Sequence, residues 1–364
     1  MPLCLIVNPS AGGGKAGRML PEVLTALAGH DLEVRSELTR DLDHARELAR
    51  SAALAGETVV CLSGDGMVGA VADTLREIPD ALLGVLPGGR GNDLARVLGI
   101  PADSVEACVV IADGFSRMMD LGEVTSHSGT FPPAQPEGHT LKGTPSGAQA
   151  GKQAGGPAFV GIASVGFDSE ANRIANEAPA WLGGLVYAYG ALRALLSWRP
   201  ARFEIELTGS VGSGSGSHAS SEVSAGNGSL GRHKFMAYTV GACNSKTYGG
   251  GMRAAPDAIL DDGLLDVVIL ESIGKLAFLT KILPRVFKGT HVHEPGVKVF
   301  RAREVSIDAD RHFTMYADGD PIGELPVTVR AVPGAVRVLV PRQGGGADAF
   351  LDGQDGADAA TAKL

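Results

Sequence analysis

Short apolar runs alternate with segments of helical periodicity from the N-terminus to residue 98, and this alternation limits the fold more than any other feature. The apolar runs predict strands at residues 3–7, 32–38, 58–62 and 82–86. Strands that alternate with helices predict βαβ units and a parallel sheet covered on both faces. Ligands of such sheets bind outside the carboxyl ends of the strands, so the residues that follow these strands are candidates for a binding site.

The pattern changes after about residue 117, where short strand-like runs follow one another with few helical segments between them. This predicts an antiparallel β-rich second domain, either a sandwich or an open barrel. We therefore expect an α/β plus β fold with domains at residues 1–117 and 118–342 and an active site in the cleft between them. The segments 126–157 and 209–232 and the tail 343–364 are rich in small and polar residues, which predicts flexible chain.

Charge and residue spacing exclude several classes of protein. The formal net charge of −9 argues against a nucleic-acid partner and against permanent attachment to anionic lipid through a polybasic patch. The four cysteines form no C-x-x-C pair and are typical of buried thiols in a reducing cytosol. The apolar stretch 181–198 is short and contains Arg193, so we interpret it as a buried helix and expect no transmembrane segment. His291 and His293 share a strand-like face without a third ligand, which favours a surface role over zinc binding.

The first predicted strand is followed by the glycine-rich turn 8–17, which opens a helix and so offers backbone N–H groups to an anion. The turn does not fit a P-loop, which needs Gly six residues before its Lys and Ser or Thr after it. Gly12, Gly14 and Gly17 do match the dinucleotide fingerprint G-x-G-x-x-G. An NAD-dependent oxidoreductase is therefore an open alternative at this point.

Two further glycine turns follow later strands, and each precedes a helix. In the turn Ser63-Gly64-Asp65-Gly66 the glycines let a phosphate approach the backbone, and Asp65 can hold a metal ion or a polarised water. A tight Asp-Gly turn is the structural alternative. In the turn 87–93, Arg90 can reach a phosphate, and Asn92 or Asp93 can cap the next helix. Three such turns on one edge of a sheet predict a nucleotide site.

Four segments, in this order, resemble the signature motifs of the diacylglycerol kinase catalytic domain family: 8–12, 63–66, 87–93 and 317–321. This is a group of bacterial lipid kinases whose superfamily includes sphingosine and ceramide kinases. The similarity extends from about residue 2 to residue 341. It implies that an N-terminal nucleotide-binding domain lies beside a β-rich lipid-substrate domain, with ATP bound between them.

The resemblance also assigns roles to individual positions. Contacts with ATP fall on Asn8, Ser10, Gly12, Thr39, Ser63, Gly64, Asp65, Gly66, Met67, Arg90, Gly91 and Asn92. A Mg²⁺ site falls on the Asp262 side chain and the backbone carbonyls of Ile259 and Leu264, oxygen ligands that suit a hard cation. An Asp-Asp-Gly hairpin turn explains the same three positions. The chain departs from the family pattern at Ser63, in place of glycine, and at Asp320, in place of glutamate. It also departs at Met67 and Arg90, each in place of threonine.

Phosphoryl transfer to a hydroxyl group needs a carboxylate that accepts the hydroxyl proton. The family position assigns this role to Asp320, with Asp318 as its partner or as the base itself. Asp308 and Asp310 have the same spacing, but we expect them in a solvated turn.

The sequence therefore favours an ATP- and Mg²⁺-dependent lipid kinase that phosphorylates diacylglycerol or a similar lipid. A sphingoid-base or ceramide-type kinase, an NAD kinase, and a nucleotide-binding protein without turnover are the alternatives. We expect a cytoplasmic protein that associates transiently with the inner membrane face, where its lipid substrate lies. Whether it forms a homodimer, and whether the 181–198 helix lines a cleft for acyl chains, stays open.

Overall fold

The computed structural model describes residues 2–127, 155–167, 170, 174, 193–194, 198–209, 231–342, 347–351 and 357–358. The two predicted loop segments, the C-terminal tail and the stretch interpreted as a buried helix lie largely outside these described residues. Within them, no helix combines the length and the apolar character that crossing a membrane requires.

The N-terminal part alternates strands and helices, as predicted. Its elements are β1 (Pro2–Val7), α1 (Ala11–Gly29), β2 (Glu33–Leu38), α2 (Leu42–Leu54), β3 (Thr58–Ser63), α3 (Asp65–Leu75), β4 (Leu82–Pro87), α4 (Asp93–Val97) and α5 (Cys108–Asp113). The strands are parallel in the order β2-β1-β3-β4. All residues of β3 and β4 are buried, whereas β2 lies at the edge and carries exposed charged residues.

The C-terminal part is rich in antiparallel strands, which confirms the predicted fold class. Its strands are β5 (Phe115–Ser126), β6 (Ala158–Phe159), β7 (Ile162–Gly166), β8 (Ala201–Thr208), β9 (Arg232–Cys243), β10 (Leu265–Glu271), β11 (Val297–Ala302), β12 (Glu304–Ala309), β13 (Thr314–Ala317), β14 (Asp320–Glu324), β15 (Val327–Leu339) and β16 (Ala357–Asp358). Short helices α6 (Lys275–Ala277) and α7 (Leu283–Val286) flank a π-helical turn at Phe278–Ile282. The sequence patterns did not predict this helical segment.

Two features differ from the sequence-based expectations. His291 and His293 lie in a 3₁₀ turn (Thr290–His293) and not on a strand. Because His291 is buried, its expected surface role is wrong, and the loss of solvation lowers its pKa to about 4. In addition, the sequence pattern predicts separate strands at 327–329 and 336–340, whereas residues 327–339 form one long strand, β15, whose pairing with β5 is interrupted between Val332 and Val336.

Strand β15 joins the two parts of the molecule. It pairs antiparallel with β5 along most of its length and parallel with the edge of β4, where Arg337 and Val338 face Leu82 and Leu83. The parallel sheet therefore continues into the antiparallel strands without a break in hydrogen bonding. The β-rich part also reaches the turn that follows β4, since the Gly250 N–H donates to the Asp93 carboxylate (2.8 Å).

A buried ionic network ties helix α3 to this junction. Glu123 on β5 accepts hydrogen bonds from Arg76 (2.7 Å) and from Arg330 on β15 (2.7 Å), and Arg76 also pairs with Asp73 at 2.9 Å. The Glu123 and Arg76 side chains are 3% and 10% exposed. Burial alone would raise the pKa of Glu123, but the two guanidinium groups outweigh it and lower that pKa. The network therefore compensates buried charges that would otherwise destabilise the fold.

Replacing Glu123 with alanine should lower the free energy of unfolding by about 3 kcal/mol, because the buried Arg76 guanidinium loses one of its two carboxylate partners. Urea denaturation at pH 7 measures this change. Glu77→Ala is the matched control, since Glu77 pairs with Arg50 at the surface (2.8 Å) and should cost less than about 1 kcal/mol. Equal losses in the two variants would contradict a stabilising role for the network.

Candidate active site

The three glycine turns touch one another at the carboxyl edge of the parallel strands. A Cβ atom built on Gly12 would lie 2.6 Å from the Gly88 carbonyl oxygen, and one on Gly89 would lie 2.4 Å from the Gly64 Cα. One on Gly88 would lie 2.9 Å from the Ser63 nitrogen. These separations are shorter than a side chain tolerates, so the turns converge only because glycine occupies each contact.

The first turn has a left-handed backbone before helix α1 becomes regular. Gly12, Gly13 and Gly14 have φ values of 61°, 69° and 84°, which other L-residues adopt with strain. Apart from its own neighbours along the chain, no described residue has a heavy atom within 4 Å of a Cβ built on Gly13, so this stretch of backbone faces open space. The turn also brings in a cation that sequence reasoning missed, because Arg18 donates to the Gly13 carbonyl oxygen (3.3 Å).

The helices that start at the first two glycine turns differ from α2 in their capping. Helix α2 has an ordinary cap, since Asp41 accepts the His44 N–H (2.8 Å). The N-cap residues of α1 and α3, Ser10 and Gly64, make no side-chain cap hydrogen bond within the described structure. Asn8 instead accepts the Ser10 N–H (3.0 Å). The first turn of α3 therefore presents its N–H groups and the positive end of its dipole beside the glycine turns, as an anion site does.

The third turn is held by polar contacts that differ from the expected cap. Asn92 (φ 51°) accepts the Gly89 N–H (2.7 Å) and donates to the Gly89 carbonyl (3.0 Å), which fixes the turn. Asn92 does not cap α4. Asp65 from the second turn does so by accepting the Leu94 N–H (3.0 Å). The carboxylate predicted to hold a metal ion or a water thus already links two of the turns.

The remaining predicted ATP contacts lie around these turns in different environments. Thr39 is buried, donates to the Val7 carbonyl (3.2 Å) and lies 4.0 Å from the Met67 sulfur. Met67 is 1% exposed and belongs to the apolar core, so it fills space beneath the turns. Arg90 is exposed and has no hydrogen bond or ion pair among the described residues. Its guanidinium is therefore available to an anionic ligand.

The acidic turn lies opposite the second glycine turn. Asp318 (φ 50°) and Gly319 (φ 101°) form the two-residue connection between β13 and β14, and Asp320 begins β14. A Cβ built on Gly69 in helix α3 would lie 3.2 Å from the Asp318 carboxylate. The structure therefore brings Asp318 to the helix that starts at the second glycine turn, with the partly exposed Asp320 two residues further on.

The Asp318 carboxylate is held by backbone amides. It accepts the N–H groups of Val160 (2.8 Å), Gly161 (3.0 Å) and Ile162 (3.2 Å). Burial, and then the nearby Asp65 carboxylate, raise the pKa of Asp318 to about 7, while the three N–H groups oppose the rise. The group therefore changes charge near neutral pH, which suits an acid–base role or an electrostatic one.

Sequence reasoning missed a loop that connects the acidic turn to the third glycine turn. The Asn244 amide donates to the carbonyls of Val160 and Asp120 (2.9 Å each), and the Gly250 N–H donates to the Asp93 carboxylate (2.8 Å). Burial and the Asp65 carboxylate raise the pKa of Asp93. The three consecutive glycines at 249–251 were the available signal, because such a run often marks a close backbone approach.

In the predicted Mg²⁺ loop an arginine side chain already pairs with the carboxylate that would bind the metal ion. Asp262 accepts the Leu264 N–H (2.9 Å) and forms an ion pair with Arg301, whose guanidinium also lies 3.7 Å from Asp266. Burial raises the pKa of Asp266 to about 7, against the lowering effect of Arg301. No group of three or more His, Cys, Asp or Glu side chains in the described parts of the chain has metal-binding geometry. The Mg²⁺ site at Ile259, Asp262 and Leu264 stays a prediction that this arrangement does not favour.

Comparisons with known proteins agree with the geometry. The diacylglycerol kinase catalytic domain family matches residues 2–124, and the YegS C-terminal NAD kinase beta sandwich-like domain matches residues 161–340. A diacylglycerol kinase of Mycobacterium tuberculosis is 30% identical over 342 residues, which cover 93% of this chain and 95% of that protein. The chain belongs to the diacylglycerol kinase catalytic domain family. The motifs at 8–12, 63–66 and 87–93 lie within the match to the catalytic domain, and the motif at 317–321 lies within the match to the second domain.

Other relatives extend the similarity. A diacylglycerol kinase of Bacillus subtilis is 25% identical over 93% of this chain and 96% of that protein. A Pseudomonas fluorescens protein named "Probable lipid kinase YegS-like" is 29% identical over 86% of this chain and 87% of its own length. A Bacillus anthracis crystal structure described as a diacylglycerol kinase has a TM-score of 0.62 and 17% identity, and the alignment covers 94% of this chain and 97% of that one. The last comparison shows a shared fold.

The pairing of Arg301 with Asp262 gives a prediction about metal removal. Excess EDTA should leave the thermal unfolding midpoint of the protein unchanged, because the loop carboxylates have a guanidinium partner. Arg301→Met should lower the midpoint by several degrees, since it leaves buried carboxylates without that partner. Arg303→Met is the matched control on the same connection, because Arg303 is exposed. A fall in the wild-type midpoint upon chelation would instead support a resident metal ion.

Proposed function

We propose that the protein is an ATP-dependent lipid kinase that phosphorylates the hydroxyl group of diacylglycerol or a similar lipid. The observation that carries the proposal is the convergence of the glycine turns at Gly12, Gly64 and Gly89 on one sheet edge, beside the acidic turn at Asp318. Family membership supports a kinase over the oxidoreductase that the dinucleotide fingerprint left open. The names of the relatives support a lipid as the acceptor.

In this proposal residues 1–117 bind the nucleotide and residues 118–342 bind the lipid. The N–H groups at the start of α3, and the turn around Gly13, face the phosphates of ATP, while Arg90 adds positive charge from the third turn. Such preorganised donors stabilise a transferring phosphoryl group without covalent chemistry. The Mg²⁺ that accompanies ATP supplies further charge neutralisation at the phosphates.

The acceptor hydroxyl attacks the γ-phosphorus, its proton moves to a carboxylate, and the bond to the β–γ bridging oxygen breaks to release ADP. We assign the proton to Asp320, which is partly exposed at the start of β14. Three backbone N–H groups already donate to the Asp318 carboxylate. We therefore assign to Asp318 the role of positioning the acidic turn and of contributing negative charge beside Asp320. The alternative assignment to Asp318 has its near-neutral pKa in its favour.

One observation favours a second acceptor class. The domain matched by residues 161–340 is described as NAD kinase beta sandwich-like, so NAD is a reasonable soluble acceptor to compare with lipids. In this proposal the protein is cytoplasmic and associates transiently with the inner membrane face, where its substrate lies. A sphingoid base and ceramide remain lipid alternatives to diacylglycerol.

Transfer of radiolabelled γ-phosphate from ATP to diacylglycerol, a sphingoid base, ceramide and NAD tests the proposal. We expect a labelled lipid product, and we expect none with NAD. A labelled NAD product would replace the lipid assignment with the NAD kinase alternative. Retained ATP binding without transfer to any acceptor, in folded protein, would instead identify a nucleotide-binding protein without turnover.

The two acids should respond differently to removal of their charge. Asp320→Asn should lower kcat by about 10²–10⁴-fold without changing the unfolding midpoint, as expected for loss of a general base. Asp318→Asn should destabilise the protein by about 1–3 kcal/mol, because an amide offers one acceptor oxygen to three N–H donors. Asp308→Asn is the control and should change neither quantity, because Asp308 is exposed; it lies on strand β12 and not in the turn that the sequence predicted. Reversed effects of the first two substitutions would make Asp318 the base.

The stability of the protein should depend on pH through Asp318, and the sign of this dependence follows from the pKa of that carboxyl group. The folded-state pKa of Asp318 is about 7 and lies above its ordinary value of 3.8, so the native state holds the proton more tightly. This contribution to stability is present at acid pH and is lost as the pH rises from about 4 to 7. Asp318→Asn should remove this part of the decline, and an unchanged pH profile would contradict the assignment.

A further inference from the structure

The helical segment 275–288 leaves large apolar side chains in solvent. Leu276 is 75% exposed and Phe287 is 55% exposed, although Phe278, Ile282 and Val286 of the same segment are buried. The buried face is well packed, since the Phe278 ring lies 5.0 Å from that of Phe167 and 5.8 Å from that of Tyr238. The exposure of Leu276 and Phe287 is therefore not caused by poor packing of the segment against the protein.

A third exposed apolar residue adjoins this segment. Met236 on β9 is 47% exposed, and its carbonyl accepts the Ser272 N–H (2.7 Å) just before the segment begins. We call Met236, Leu276, Phe287 and the charged residues of the segment the 275–288 surface. Contiguous exposed apolar side chains mark interaction sites, whereas single ones are common on any protein surface.

The charge of the 275–288 surface is opposite to that of the whole chain. Residues 272–289 contain Lys275, Lys281, Arg285 and Lys288 but no Asp or Glu, in a chain with a net charge of −9. Lys275, Lys281 and Lys288 are exposed, while Arg285 pairs with Glu294 at 3.3 Å. Large apolar residues flanked by lysines are typical of surfaces that lie at the interface of a membrane.

The segment is connected to the candidate active site through one loop. Val286 accepts the Arg253 N–H (2.9 Å), and Met252 and Tyr248 exchange backbone hydrogen bonds (2.9 and 3.0 Å). Between these two residues, the Gly250 N–H donates to the Asp93 carboxylate beside the third glycine turn (2.8 Å). A partner bound to the 275–288 surface is therefore one loop away from the site.

We propose that the 275–288 surface docks on an anionic phospholipid bilayer. This rests on the proposed lipid kinase function and names the membrane contact that the function requires. Leu276 and Phe287 enter the boundary between headgroups and acyl chains, while Lys281 and Lys288 contact anionic headgroups. A second copy of the chain is disfavoured as the occupant, because a two-fold symmetric contact would place the lysines of both copies together.

Sedimentation with lipid vesicles tests the proposal. The wild type should bind vesicles of mixed phosphatidylcholine and phosphatidylglycerol and should bind pure phosphatidylcholine vesicles less. The double variant Leu276→Asp with Phe287→Asp should bind the mixed vesicles about tenfold less, through lost apolar insertion and added negative charge. Leu54→Asp is the matched control, because Leu54 is 71% exposed on helix α2, and it should bind like the wild type. Wild-type binding by the double variant would overturn the proposal.

The charged residues can be tested separately. Lys281→Gln with Lys288→Gln should reduce binding to mixed vesicles about 30-fold and should flatten its dependence on salt, since each lysine near an anionic surface strengthens binding about fivefold. Light scattering of the apolar double variant adds a second criterion. A change from dimer to monomer without a change in vesicle binding would assign this surface to a second copy and overturn membrane docking.

Kinetic measurements separate this proposal from the proposed function. With a short-chain diacylglycerol dissolved as monomers, the apolar double variant should keep the wild-type kcat and KM. With diacylglycerol in mixed vesicles, its apparent KM should rise about tenfold, in step with weaker binding to the bilayer. Vesicle binding by a wild type that phosphorylates no lipid would leave the docking surface standing and refute the lipid kinase function. Equal kinetics of variant and wild type on vesicles would refute the docking.

Discussion

The close approach of three glycine turns is the constraint on which the rest of the site depends. At Gly89 a side chain would come within 2.4 Å of the Gly64 Cα, and at Gly12 within 2.6 Å of the Gly88 carbonyl oxygen. Any residue other than glycine would force the turns apart. With them would move the N-terminus of α3 and the exposed Arg90, which the proposed function requires to act together on one anion. The backbone contacts of the turns therefore set the geometry of the proposed nucleotide site more than any side chain does.

A second constraint is the density of negative charge opposite these turns. Asp65, Asp93 and Asp318 interact closely enough that Asp65 raises the pKa of each of the other two, in addition to the effect of burial. Backbone N–H groups and Arg96 offset part of this cost. A bare phosphate would be repelled by these carboxylates, whereas a phosphate that arrives with a cation would not. The arrangement thus suits a metal–nucleotide complex better than a free anion.

The sequence predicted the alternating N-terminal elements and the position of the glycine turns because both follow from local patterns. It did not predict which groups these turns contact. Asp65 caps a helix that starts 28 residues later in the chain, and Asp318 binds amides near residue 161, where β6 is connected to β7. The helical segment at 275–288 was also missed, since Pro284 interrupts its pattern and the packing of Phe278 against Phe167 is tertiary. Local propensity carries no information about such contacts.

The net charge is another property of the sequence that does not show how residues are arranged in space. A value of −9 argues against attachment to an anionic membrane only if the charge is spread evenly over the surface. At physiological ionic strength charges more than about 8 Å apart are largely screened, so a bilayer responds to the nearest side chains and not to the sum. Residues 272–289 carry lysines and arginine without acids, while the acidic residues of the site lie in other elements. An acidic protein can therefore present a basic, apolar face to a membrane, and the distant acids then disfavour every other orientation.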